Sequence, residues 1–115
     1  MQLYDFLQRM KCAVEYDVHL PISSGTKRTT MVFVWVRVRP GTSSGVVIDL
    51  SVNLGNSVSS VNIKGSASMP WRWERLAPTQ QSETELAITL SPRHGVLELD
   101  KLVVTREALW RPPID

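Results

Sequence analysis

The stretch "TTMVFVWVRVRP", residues 29–40, constrains this chain more than any other. Val32, Val34, Val36 and Val38 alternate with Met31, Phe33, Trp35, Arg37 and Arg39. Side chains of an extended strand point alternately to opposite faces. This period of two therefore makes one fully apolar face and a second that turns polar toward its end. An apolar strand face needs a second layer to cover it.

The alternation recurs along the chain. After the loop text "PGTSSG", Val46, Ile48, Leu50, Val52 and Leu54 face one way, while Val47, Asp49, Ser51 and Asn53 face the other. In "AVEYDVHLP", Val14, Tyr16, Val18 and Leu20 oppose Glu15, Asp17 and His19. "SVSSVNIKG" is a weaker strand of small residues, expected at a sheet edge. In "TELAITL", Thr84, Leu86, Ile88 and Leu90 fall in register; "VLELDKLVVT" sets Leu97, Leu99 and Val103 against Val96, Leu102 and Val104. With "WRWERL" these make seven strands separated by Gly, Pro and Ser, which predicts an antiparallel sandwich or barrel. A chain of 115 residues holds one such domain around one core.

The beginning departs from this pattern. Leu3, Phe6, Leu7 and Met10 recur at helical spacings, which predicts a short helix over Leu3–Lys11 closing one end of the sandwich. That helix also offers a homodimer contact. The organisation read from sequence is a helical segment over 1–12, a sandwich over 13–105 and a tail over 106–115.

Composition narrows the function. No apolar run approaches the roughly 18 residues of a membrane span; Met31–Val36 is short and is followed by Arg37 and Arg39. No membrane partner is expected. Met1–Met10 carries Asp5, Gln8 and Arg9 where a secretory signal would be unbroken and apolar, so the compartment stays open. Cys12, alone, excludes an internal disulfide and is expected as a small buried hydrophobe. There is no Gly-rich phosphate loop, no metal-spaced His/Cys cluster and no Gly-x-Ser-x-Gly elbow. Glu85 and Glu98 fall on the alternating positions of a solvent face rather than as a pair across a cleft. No catalytic residue, metal or cofactor is expected.

"MPWRWERL", residues 69–76, is the exception to this plain surface. Trp71 and Trp73 straddle Arg72, and in a strand their indoles share a face. A buried indole must find a partner for its N–H, whereas a flat ligand that stacks can use an adjacent pair. Trp71, next to Pro70 and a run of small residues, is the one expected to be exposed. Trp35, in mid-strand, is expected to pack against the second sheet, and Trp110 to pin down the tail "LWRPPID". Arg37, Arg39, Arg72 and Arg75 interleave with these rings. They read as a groove for an acidic polysaccharide or a single nucleic-acid strand, or as a solvated face paired with Glu74, Glu85 and Glu98. A net charge of +2 favours the second reading. The candidate ligand-binding residues are Trp71, Trp73, Arg72 and Arg37.

The order of these segments carries a further signal. "YDVHLP", "FVWVRVRP", "VVIDLSVNLG", "WRWERL" and "LAITLSPRHGVLELDKLVVT" together resemble the β-sandwich carbohydrate-binding modules of the jelly-roll, galactose-binding-like type. "LDKLVVT", Leu99–Thr105, is the most specific piece. The resemblance implies an all-β, antiparallel, jelly-roll-like sandwich that binds a polysaccharide or oligosaccharide without cleaving it, in an extracellular setting. Two places depart from the family. Its paired calcium-binding glutamates have no counterpart before Ala13; only Asp100 matches its C-terminal acid, and one carboxylate cannot supply the six to eight oxygens that calcium takes. "SGTKRTT", residues 24–30, stands where the family has a short Gly-Tyr turn. Two other uses of the same sandwich remain: an assembly protein joining through the Trp pair and the helix, and an oligonucleotide-binding domain using the Arg–Trp face.

Overall fold

The computed structural model describes residues 2–19, 30–41, 48–54, 57–64, 71–81, 85–93 and 95–113. Among them are nine strands: β1 (Gln2–Met10), β2 (Val14–His19), β3 (Thr30–Pro40), β4 (Ile48–Leu54), β5 (Ser57–Ile63), β6 (Arg72–Arg75), β7 (Thr79–Gln81), β8 (Glu85–Arg93) and β9 (Leu97–Thr105). One sheet runs β1-β9-β3-β6, with β7 also pairing with β3; the other runs β2-β8-β4-β5. Every pairing is antiparallel. The chain passes back and forth between the sheets, so its strands meet mostly non-sequential neighbours.

The valine alternation decides which face is inside. Val32, Val34, Val36 and Val38 are each fully buried. They join Met10, Leu97, Leu99, Leu102 and Val104 from the same sheet and Val18, Leu50, Val52, Ile63, Leu86, Ile88 and Leu90 from the other. Burying one such side chain contributes roughly 1.5–3 kcal/mol, so the two inner faces hold the sheets together as an antiparallel sandwich. The small-residue strand β5 lies at the edge of its sheet.

The N-terminal helix is not present. Gln2–Met10 is a strand, paired with β9 from Gln2↔Val104 to Met10↔Leu97. The ladder slips between Asp5 and Gln8, where two residues of β1 stand opposite one of β9. The phase change falls in β9, whose inward residues pass from Leu97 and Leu99 to Leu102 and Val104, while β1 keeps its period of two. Tyr4 pairs with buried Leu102 before the slip, and Gln8 and Met10 with buried Leu99 and Leu97 after it. The helical spacing therefore joins residues of opposite faces: Leu3 lies on the outer face and is exposed, whereas Met10 lies on the inner face and is buried. A helix-borne dimer contact loses its element.

Two further expectations are corrected. Cys12, expected to be buried, is exposed in the turn between β1 and β2. Trp35, expected against the second sheet, alternates with the buried valines and lies half-buried on the outer face. Pro70, the small residues before it, His94, residues 24–29 and the loop text after Gly41 lie outside the described residues.

Candidate functional site

The outer face of the β1-β9-β3-β6 sheet carries its chemistry in rows across the strands. The first row joins Arg9 of β1, Glu98 of β9 and Arg39 of β3; each arginine is the register partner of Glu98. The second joins Asp5, Lys101, Arg37 and Trp73. The third joins Leu3, Val103, Trp35 and Arg75. Register partners share a face, so these residues meet because of pairing and not because of sequence proximity.

Ion pairs knit the first two rows. Glu98 Oε2 accepts from Arg39 at 3.2 Å. Arg37 Nη1 donates to Asp100 Oδ2 at 2.5 Å, with both side chains mostly shielded from solvent. Asp100 occupies a slip in the β3–β9 ladder: Arg37 pairs with Lys101, and the next residue, Val38, with Leu99. The extra residue projects Asp100 toward Arg37. Lys101 Nζ then lies 3.2 Å from Asp5 and 3.8 Å from Asp100.

The aromatic rings divide into two groups. Trp71, just before β6, reaches back over β3: the Arg39 guanidinium lies 4.4 Å from its ring centroid and that of Arg37 5.5 Å. A guanidinium over an indole face is a favourable cation–π arrangement. Trp71, Gln8, Arg9 and Glu98 line a cavity of about 130 Å³. Trp73 belongs instead to a cluster with Trp110, whose centroid is 6.5 Å away and 6.0 Å from that of Trp35, both contacts edge-on. Trp73 Nε1 is buried with no hydrogen-bond partner among the described residues.

Of the four residues expected from sequence, the structure gathers three on one face: Trp71, Trp73 and Arg37. Arg72 is register partner of buried Val38, so it lies on the opposite side of β6. There its Nε stands 3.2 Å from Glu74 Oε1. Trp71 and Trp73, expected as a doublet, do different things: one walls a cavity and the other packs under the tail. Arg9, Gln8 and Glu98 entered the cavity unannounced. Arg9 lay in a segment read as helix, and only strand pairing sets it beside Glu98.

Hydrogen bonds hold the β1 side of the cavity in place. Arg9 Nη2 donates to the Gly41 carbonyl at 3.3 Å, and Gly41 N donates to the Val96 carbonyl at 2.6 Å. The Tyr16 hydroxyl donates to Gln8 Oε1, bridging the two sheets. Burial pushes the Tyr16 phenol upward from its ordinary pKa, because the charged form loses hydration. Among the described residues no trio of His, Cys, Asp or Glu comes together to hold a metal ion.

No protein-family model matches the chain, and no curated protein sequence does. Solved structures do. A ruminal GH26 endo-β-1,4-mannanase superposes with a TM-score of 0.64 at 10% identity, over 88% of this chain and 19% of that one. A GH115 4-O-methyl-α-glucuronidase with specificity for decorated arabinogalactans gives 0.57 at 13% identity, over 90% of this chain and 14% of that one. The carbohydrate-binding module CBM36, in complex with calcium and xylotriose, gives 0.52 at 13% identity, over 90% of this chain and 88% of that one. The chain thus spans a small fraction of each of the two enzymes and nearly the whole of the module. Its fold is that of a carbohydrate-binding-module β-sandwich.

Proposed function

We propose that this chain is a non-catalytic carbohydrate-binding domain that stacks a sugar ring on Trp71. The observation that carries this reading is the half-buried indole of Trp71 walling the outer-face cavity beside Gln8, Arg9 and Glu98. An apolar ring next to a few convergent polar groups suits a pyranose, whose C–H face packs on the indole while its hydroxyls take hydrogen bonds. Arg37, shielded and ion-paired, fixes the floor under Trp71, and Trp73 supports the sheet beyond it. The saccharide complex of CBM36 belongs to a protein of the same fold.

The carboxylates argue against a nucleic-acid strand. Tracking a phosphate backbone takes a run of free cations. Here Arg37, Arg39 and Arg72 are each engaged by an acid of this chain.

The test is a titration with a panel of oligosaccharides, followed by tryptophan fluorescence, for the native chain and Trp71→Ala. Loss of the ring should weaken binding by about 1–3 kcal/mol, the range for aromatic stacking platforms. Stability should fall by only about 0.5–1 kcal/mol, the scale of an exposed cation–π contact. Unfolding of Trp71→Ala, with no saccharide bound by the native chain, would make Trp71 architecture.

A further inference from the structure

We infer that the Trp71 cavity takes a carboxylate-bearing sugar, a uronic-acid residue, whose carboxylate is held by Arg9; this rests on Trp71 being the stacking ring. The first row of the outer face sets one acid between two arginines, since Arg9 and Arg39 are both register partners of Glu98. Glu98 gives its oxygen to Arg39, through Nη2 at 3.2 Å and Nε at 3.4 Å. Arg9 has no carboxylate within salt-bridge distance among the described residues. Its one hydrogen bond to protein there, at 3.3 Å, goes to the Gly41 carbonyl.

Among the described residues of the first two rows, Arg9 is the cation without an acid partner. Lys101 is matched by Asp5, Arg37 by Asp100 and Arg39 by Glu98. Arg9 is the cation left over, and it lines the same cavity as Trp71. The guanidinium fork recognises a planar carboxylate in bidentate fashion, and the Gly41 carbonyl restrains it, so less freedom is lost on binding. A single unmatched cation suits one carboxylate on one sugar ring. At about 130 Å³ the cavity is smaller than a typical enclosing ligand pocket of roughly 300–1,000 Å³. It therefore receives one ring or its substituent, with the rest of the glycan running outside.

The experiment compares two ligands of equal length by calorimetry: an oligogalacturonide and the neutral galacto-oligosaccharide. The native chain should prefer the uronate by about tenfold, or ~1.4 kcal/mol. That preference should shrink as salt rises, because it is a charge interaction near the surface. In Arg9→Gln the ratio should fall toward one, and Arg9→Lys should restore part of it by returning charge without the fork. Circular dichroism of each variant checks that the sheet is retained. A native ratio near one, or a ratio that Arg9→Gln leaves unchanged, overturns the uronate assignment and leaves the Trp71 platform standing. Binding of neither sugar, with Trp71→Ala without effect, overturns the platform and the assignment together.

Discussion

Trp110 meets Trp35 edge-on, with ring centroids 6.0 Å apart and planes inclined at 71°. Val103 is the register partner of Trp35 on the outer face, yet it is only 2% exposed. Something must cover that face there, and the tail carrying Trp110 is the element packed on it. Trp110 also stands edge-on to Trp73 at 6.5 Å, and Arg111 brings its guanidinium 5.8 Å from the Trp35 centroid.

Trp110→Ala should therefore destabilise the sandwich from outside its core. Each edge-on aromatic contact is worth about 0.5–1.5 kcal/mol beyond area burial, so two of them predict a loss of about 1–3 kcal/mol. A urea melt measures it. Binding at the Trp71 cavity should survive, since Trp110 contacts Trp35 and Trp73 and does not line that cavity. An unchanged melt would mean that the tail only rests on the sheet.

The β1 strand carries the second prediction. Met10 is 2% exposed and packs in the same core as Leu97 and Leu99. Met10→Ala should cost about 2–5 kcal/mol, as for other large-to-small changes in a core. In a terminal helix merely plugging the sandwich, the same change would cost far less. Denaturant unfolding separates the two cases.

This strand shows what the sequence could and could not disclose. Val32 to Val38 announce their face because unbroken alternation maps directly onto burial. The spacing of Leu3, Phe6, Leu7 and Met10 misleads because it joins residues of opposite strand faces, Leu3 outward and Met10 inward, and no local propensity distinguishes that from a helical stripe. Trp35 misleads differently: its ring is apolar, but its parity opposes that of the valines, and parity decides the face. Trp71 was legible as a candidate from its ring and its place beside a loop. Arg9 and Glu98 were not, because the cavity exists only once β1 and β3 flank β9. That adjacency is a long-range pairing, invisible to any window along the chain.

Tyr16 gives a pH prediction. Its phenol is raised in the folded state above an ordinary value of 10.0 by loss of hydration. Below that unfolded value both states are neutral, and the contribution to stability is complete. As pH rises past about 10, the unfolded chain ionises first and draws the equilibrium toward itself. Stability should therefore fall with pH from there through the folded-state pKa. Tyr16→Phe should flatten that limb, while losing the hydroxyl's bond to Gln8, worth about 0.5–1.5 kcal/mol. Melts at several pH values for both chains compare the slopes; equal slopes would remove Tyr16 as their source.

A metal test addresses Asp100. This carboxylate faces Arg37 at 2.5 Å and Lys101 at 3.8 Å, two cations that compete with any bound calcium. Treatment with EDTA should leave the thermal midpoint unchanged. A fall of about 5 °C, corresponding to roughly 1 kcal/mol for a domain of this size, would reveal a structural cation.

Gly41 links the end of β3 to the cavity. A Cβ built there would sit 2.9 Å from Val96 Cγ1 and 3.1 Å from the Val96 carbonyl oxygen, while Gly41 N donates to that same carbonyl. Gly41→Ala must move Val96 or the backbone, and overpacking of this kind costs about 1–3 kcal/mol. Because the Gly41 carbonyl also holds Arg9, the displacement should reach the ligand: uronate affinity should drop in Gly41→Ala more than neutral-sugar affinity. Val96→Ala removes the nearer clash, at Cγ1, so a double-mutant cycle should show the two substitutions partly compensating, with a coupling of about 0.5 kcal/mol or more. Additive losses in that cycle would place the cost of Gly41→Ala elsewhere than at Val96. An undiminished uronate preference would show that Arg9 keeps its position without the Gly41 carbonyl.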